Sequence, residues 1–356
     1  MPSTIRVLIV DDSALIRQIL TRALSVDPRI EIVGVARTGI EAIEKARVLF
    51  PDVITLDIEM PELSGLEAIP HLAKHSDARI IMLSSLEDPD TTYHALSQGA
   101  VDFIAKPHGG FATSITDLSE LLLKKIRIAY RIDPARTGAT TGDSESPVAT
   151  SRGAAGYASD FKAVVGIGAS TGGPPALERV FSGLSLETPA AYLIVQHLPA
   201  GFTASLARRL GSVSDVEVIE ASDGASIEVG HAYLAPHGAH MTVSMSSATG
   251  RACIQLEDEP PVHGVRPAVD PLFSSMAKVF GSRGVGILLT GMGRDGAQGM
   301  AEIKQAGGDT IAQDEETSVV WGMPGAAAKA GAVRHLVPVG LVAAEIRRTL
   351  RSLEVD

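Results

Sequence analysis

Two α/β domains joined by a polar tether are the fold class this sequence predicts. Three observations predict it. Short apolar runs alternate with segments of helical period in two series. A stretch with no apolar period separates the series. At 356 residues the chain is also longer than one comfortable core.

The first series opens with RVLIV and the helix-period segment SALIRQILTRALS, in which Ala14, Ile16, Ile19, Leu20 and Ala23 share a face at three-and-four spacing. EIVGVA, GIEAIEKARVLF, DVITLDI, GLEAIPHLAKH, RIIMLSS, DTTYHALSQGA, DFIAKP and SITDLSELLLKKIRIAYR follow. Strands and helices in strict alternation over residues 1–125 predict a parallel sheet covered on both faces. Residues 126–160 are expected to be a flexible linker, because they become rich in Gly, Ser, Thr, Pro and Ala. A coil of that kind spans roughly 30 Å and tethers its neighbours without orienting them.

Over residues 161–356 the alternation resumes with KAVVGIGAS, PALERVFSGL, AAYLIVQH, FTASLARRLGS, VEVIEA and HAYLAP. HMTVSM and CIQLE come next, then PLFSSMAKVFG, GVGILLTGM, GAQGMAEIKQAG, DTIAQD and GLVAAEIRRTLRSL. The expected domain is doubly wound and mostly parallel, with an antiparallel portion in its middle.

Composition narrows the function classes. The chain is 45% hydrophobic with 35 glycines, and its net charge of −11 would repel a phosphate backbone. No basic patch offsets that charge, so no nucleic-acid partner is expected. The single cysteine, Cys253, excludes an internal disulfide and any Cys/His zinc pattern, which suits a reducing compartment. The apolar run near the N-terminus is broken by two aspartates, and no run reaches the ~18 apolar residues of a membrane span. A cytoplasmic protein without membrane insertion is the expectation.

Open parallel sheets bind ligands outside the carboxyl ends of their strands. In the first domain those ends carry Asp11 and Asp12, Asp57, Ser84 and Lys106. Carboxylates converging on one rim repel unless a cation sits among them, and hard oxygen ligands suit Mg²⁺. A carboxylate so placed can attack a phosphoryl group. The simpler reading of any one aspartate is a cap for the helix that follows it. VDDS, LDIEMPELSGLE, LSS and AKP together resemble a response-regulator receiver domain, a (βα)5 unit with a flavodoxin-like parallel sheet. The resemblance implies that Asp57 is the phosphoacceptor. It also implies that Asp12, Asp57 and the backbone carbonyl of Glu59 take Mg²⁺, supported by Asp11. Ser84 and Lys106 would bind the phosphoryl oxygens, and a cognate histidine kinase would be the donor. Phe103 falls at the place of a switching aromatic, with a plain core residue the alternative.

GIGASTGGP, residues 166–174, opens two readings for the second domain. As a dinucleotide turn it departs from G-x-G-x-x-G at Thr171, and AAYLIVQHL offers Gln196 and His197 where an acid would be wanted. As G-x-S-x-G it is a strand-to-helix turn exposing the Ser170 hydroxyl, with the positive end of the next helix aimed at a developing oxyanion. A serine nucleophile needs a base and an orienting acid. His197 and Asp295 each follow a strongly apolar strand, as Ser170 does. The plainer alternatives are an N-cap for Ser170, a capping box for Asp295 with Gln298, and a polar strand end for His197. The order Ser, His, Asp differs from that of the α/β-hydrolases.

GIGASTGGP, VQHLPAGFTASLARRL, HGVRPAVDPLF, LLTGMGRDGAQGM and GMPGAAAKAG together resemble the catalytic domain of the chemotaxis protein-glutamate methylesterases, the CheB family, whose members also carry a receiver and a linker in front. Position by position the resemblance implies Ser170 as nucleophile, His197 as general base and Asp295 as the residue orienting it. Thr171 and Met292 would line the oxyanion site. It implies hydrolysis of glutamate methyl esters and glutamine amides on methyl-accepting chemoreceptors, with no cofactor for the esterase reaction. HGVRP carries extra residues relative to the family's H-x-P-S-V-D run, so the resemblance leaves the role of His263 open. Two rivals stand beside this reading: a receiver-linked nucleotide-binding oxidoreductase and a non-enzymatic output module. Against the second, the chain has no terminal helix-turn-helix with a basic recognition helix.

Overall fold

In a computed structural model, the structure describes residues 4–84, 89–106, 111–133, 163–186 and 190–353. The expected linker is therefore outside the described residues from 134 to 160, as is Pro107 of the AKP motif.

The first sheet is built from β1 (Ile5–Val10), β2 (Ile30–Ala36), β3 (Val53–Asp57), β4 (Arg79–Ser84) and β5 (Asp102–Ala105). They alternate with α1 (Ala14–Leu24), α2 (Gly39–Leu49), α3 (Gly65–His75), α4 (Pro89–Ser97) and α5 (Phe111–Ala129), so the last helix runs past residue 125. Every strand pair is parallel and the order is β2-β1-β3-β4-β5. Helix starts obey local chemistry. Ser13 caps α1 by accepting from the Ile16 N–H, and Ser64 with Glu67 forms a full capping box on α3. The α1 face predicted from spacing is buried at Leu20 and Ala23 and half-buried at Ile16 and Ile19, while Ala14 at the helix tip is exposed.

The second sheet comprises β6 (Ala163–Ala169), β7 (Ala190–Gln196), β8 (Glu217–Glu220), β9 (His231–Leu234), β12 (Gly284–Leu288), β13 (Asp309–Gln313) and β14 (His335–Val337). Its order is β14-β13-β12-β6-β7-β9-β8, and all of its pairs are parallel. The antiparallel portion is a separate hairpin of β10 (His240–Met245) and β11 (Ala252–Glu257). The helices are α6 (Gly173–Phe181), α7 (Thr203–Ser212), α8 (Val269–Phe280), α9 (Ala297–Gln305), α10 (Met323–Lys329) and α11 (Val339–Ser352). β6 and β7 are buried at every residue, as central strands of a sheet covered on both faces must be.

From β6 the chain moves to β7 on one side, and from β12 it moves to β13 on the other. The β6–β12 pair is thus a topological switch point, where open α/β sheets bind ligands.

The two domains are in contact. Helix α4 lies against α6 and α7. Phe202 packs its ring 4.6 Å from Phe103 and edge-on to Tyr93, whose hydroxyl donates to the Phe202 carbonyl at 2.9 Å. Beside them Asp90 accepts from Ser205 and pairs with Arg208. Val319 and Val320 pack against the apolar cluster formed by the first sheet with α1 and α5.

Candidate active site

Ser170 follows β6 and Asp295 lies in the loop after β12, so the switch point brings both to one rim. His197 follows β7, where Ala169 is registered opposite Gln196. Ser170 and His197 are therefore neighbours across paired parallel strands, whose backbones run about 4.8 Å apart. The His197 N–H donates to the Ala169 carbonyl at 3.1 Å and ties the two turns together.

The turn itself explains its glycines. A Cβ on Gly168 would come within 2.6 Å of Val269 Cγ1, so only glycine lets the start of α8 lie against β6. Gly172 has φ +74 and stands at the N-cap of α6, which makes no side-chain cap bond. The Ser170 hydroxyl is thus not spent on the helix start. Gln196, at the strand end where a dinucleotide site wants an acid, instead donates from Nε2 to the Ser170 carbonyl at 2.9 Å and the His197 carbonyl at 3.2 Å.

His197 Nε2 lies 2.8 Å from Asp295 Oδ2, so Nδ1 is the ring nitrogen left over to act as a base. Asp295 caps no helix of its own, since α9 begins at Ala297 with Gly296 as its N-cap and no side-chain cap bond. Its carboxylate receives the first two N–H groups of α8 instead, Val269 to Oδ2 at 2.7 Å and Asp270 to Oδ1 at 3.0 Å. Burial works to raise the Asp295 carboxyl, but the bond from His197 and these N–H groups outweigh it, and it is held below the usual carboxylate range. An ionised, fixed carboxylate is what an imidazole base needs behind it. Thr171 is buried and Met292 half-buried on the same rim.

In the first domain Lys106 Nζ sits 2.6 Å from Asp57 Oδ1 and 3.0 Å from Asp11 Oδ2. Asp57 is buried, its Oδ2 has no hydrogen-bond partner, and burial pushes its carboxyl up to about 6 against the pull of Lys106. Asp11, Asp12 and Asp57 each offer a carboxylate oxygen, all within 4.8 Å of one another. An orphaned buried oxygen among hard donors fits Mg²⁺. Glu59 follows on the loop and donates its N–H to Asp57 Oδ1 at 3.4 Å. Ser84 is buried with its hydroxyl 2.6 Å from that of Thr92 on α4. Phe103, predicted as a switch or a core residue, is buried at the domain contact.

The structure adds residues that sequence reasoning passed over. Asp270 Oδ1 accepts from the Gly299 N–H at 2.8 Å, and Oδ2 lies 2.7 Å from His263 Nε2. Asp102 on β5 accepts from the Thr171 hydroxyl. The AVDPLF run contained Asp270, but nothing local marks it as the neighbour of a residue 25 positions later. Asp102 reads as the start of a strand; within the receiver it pairs with Lys125, and docking adds the Thr171 hydroxyl as a partner from the other domain.

Residues 165–346 match the CheB methylesterase family, and residues 7–111 match the response regulator receiver domain. A protein-glutamate methylesterase/protein-glutamine glutaminase of Pyrococcus horikoshii is 43% identical over 95% of this chain and 92% of its own length. One of the same name from Symbiobacterium thermophilum is 44% identical over 97% of both chains. Among solved structures, the Thermotoga maritima CheB methylesterase catalytic domain is 36% identical, with a TM-score of 0.51, over 55% of this chain and 98% of its own. A receiver sheet in front, a serine turn and a His–Asp pair at the switch point of a second sheet, and this likeness along almost the whole length lead to one conclusion: the chain belongs to the CheB family of methylesterases.

Proposed function

We propose that this chain is a phosphorylation-controlled serine hydrolase that removes methyl esters from glutamate side chains of chemoreceptors and deamidates glutamines there. Ser170 attacks the ester carbonyl as His197 takes its proton. Backbone N–H groups near Thr171 and Met292 receive the oxyanion. The C–O bond breaks, and methanol leaves with the proton from His197. Water then attacks the acyl-enzyme with His197 again as base, releasing glutamate and returning the proton to Ser170. With a glutamine substrate the leaving group is ammonia. Asp295 holds the imidazole in place and balances its charge.

Asp57 receives the phosphoryl group from a cognate histidine kinase, with Ser84 and Lys106 on its oxygens. Asp12, Asp57 and the Glu59 carbonyl, with Asp11 behind, would hold Mg²⁺, which would supply positive charge for that transfer. In the unphosphorylated state the receiver covers the rim beside Ser170. The contacts of Phe202 with Tyr93 and Phe103 support this reading. The Ser84–Thr92 bond puts a phosphoryl-binding hydroxyl on the helix that carries Tyr93 and Asp90. Phosphorylation that draws Ser84 away loosens that helix and the docking with it.

The observation that carries the hydrolase reading is the 2.8 Å His197–Asp295 contact beside the Ser170 turn. Methanol release from methylated receptor by wild type and Ser170→Ala, with and without acetyl phosphate, tests it. Wild-type release should rise with acetyl phosphate, and Ser170→Ala should release none above background. Equal release by the two proteins overturns the reading.

A further inference from the structure

A second histidine–carboxylate pair stands directly behind the first. His263, Asp270 and Asp295 each offer one polar side-chain atom, all within 4.8 Å of one another. His263 sits at the tip of a tight loop in which Val262 and Val265 exchange two backbone hydrogen bonds. Its φ of +55 is unusual for a residue other than glycine, and such a conformation at a site edge is held by its surroundings. The 2.7 Å contact to Asp270 is what the loop achieves by it. Asp270 is buried, and its two oxygens face the Gly299 N–H and His263. Its own N–H is one of the two that hold Asp295. The charged groups facing Asp270 are His263 and Asp295, and the one facing Asp295 from the other side is His197. Arg266, on the same loop, is engaged by Asp258 and points its charge elsewhere.

Two buried carboxylates this close repel, and the one that matters for an imidazole base is Asp295. Burial raises the Asp270 carboxyl, while His263 and the Gly299 N–H oppose that rise. We propose that His263 is a positioning residue for the hydrolase reaction: paired to Asp270, it anchors the start of α8 and keeps the second carboxylate from acting on the His197–Asp295 pair. His263 touches no reacting atom. It acts by fixing the clamp on Asp295 and by engaging the carboxylate behind it. The inference rests on the hydrolase reading above and adds to it a residue behind the His197–Asp295 pair.

The test uses the full chain activated with acetyl phosphate, acting on methylated receptor, with kcat and KM followed from pH 5.5 to 9 (about the range in which an imidazole base titrates). In His263→Ala the Asp270 carboxylate is left unbalanced and stabilises protonated His197. The acid limb of kcat is then expected to move up by about one pH unit, with kcat near neutrality down roughly tenfold and KM unchanged. In His263→Ala/Asp270→Asn the offending charge is gone while an amide oxygen still accepts from Gly299, so the limb should return to its wild-type place. A merely structural loop residue would lower kcat equally at every pH and would not be rescued. An unmoved limb in His263→Ala, or a limb equally displaced in the double variant, overturns the role of His263. Ser170→Ala in the same assay separates the two readings. Turnover surviving there overturns the hydrolase itself, whereas an inactive Ser170→Ala beside an unmoved His263→Ala limb overturns only the positioning role.

Discussion

Thr171 Oγ1 donates a 2.7 Å hydrogen bond to Asp102 Oδ2, joining the residue after Ser170 to the edge strand of the receiver sheet. Both side chains are buried, and Asp102 is also paired with Lys125 at 2.6 Å. A bond to an ionised carboxylate in such a place contributes on the order of 1.5–3 kcal/mol. It therefore sets a sizeable part of the balance between a docked and an undocked receiver. On the proposed mechanism the oxyanion forms near Thr171, so the same carboxylate would also oppose the transition state electrostatically.

Replacing Asp102 with alanine removes both effects. Without phosphorylation, Asp102→Ala should raise methanol release by roughly tenfold, the rate equivalent of about 1.4 kcal/mol of docking. With acetyl phosphate, where docking is already weakened, the variant and wild type should differ little. An unchanged basal rate would show that this contact does not hold the receiver in place.

The sequence made most of the fold legible because both sheets are parallel and buried, and such strands announce themselves as apolar runs between helix-period segments. The five parallel strands of the first sheet follow from that pattern, whereas the roles of Ser170, His197 and Asp295 come from their places at strand ends together with the methylesterase resemblance. What stayed illegible depends on contacts between distant segments. An antiparallel middle is expected without bounds; β8 and β9 join the main sheet in parallel, and among the strands of the described residues the antiparallel pair is the β10–β11 hairpin. Asp295 is expected to orient His197, with a cap of the following helix as the plainer alternative; neither reading shows that its carboxylate also crosses to the start of α8. Capping preference is a local rule, and it cannot see a helix that precedes the residue in sequence by a whole strand. Asp102 and Phe103 gain their meaning only from a neighbour across the domain contact.

Asp27 gives the receiver a stability that depends on pH. Its buried carboxylate bonds Arg29 through both oxygens, at 3.1 Å, and also pairs with Arg127 at the far end of α5. The bonds from Arg29, aided by Arg127, hold its carboxyl well below the usual carboxylate range despite burial. A carboxyl depressed in the folded state contributes stability that is full above its unfolded value, near 4, and is lost as pH falls below it. Asp27→Asn should lower the receiver's melting temperature at pH 7 by roughly 5 °C. The gap should close progressively below about pH 4. Thermal unfolding followed by circular dichroism across that range measures it, and a gap that persists unchanged at low pH would contradict the assignment.

Asp295 should be the one active-site residue whose loss costs both rate and stability. All three groups that face its oxygens are donors: His197 Nε2, the Val269 N–H and the Asp270 N–H. An asparagine has one acceptor and one amide donor, so Asp295→Asn must turn its NH₂ toward at least one of those donors. If it faces His197, the imidazole loses the partner that fixes its tautomer, a change that costs on the order of 10³–10⁴ in kcat in comparable triads. If it faces α8, a buried N–H of the first turn is left unsatisfied at about 1–3 kcal/mol. Ser170→Ala, by contrast, removes a hydroxyl that no helix start uses and should leave the melting temperature within a degree or so of wild type. Calorimetry and methanol release on the two variants side by side make the comparison. An Asp295→Asn protein that melts like wild type and retains more than a tenth of its rate would mean that the clamp at the start of α8 does not orient His197.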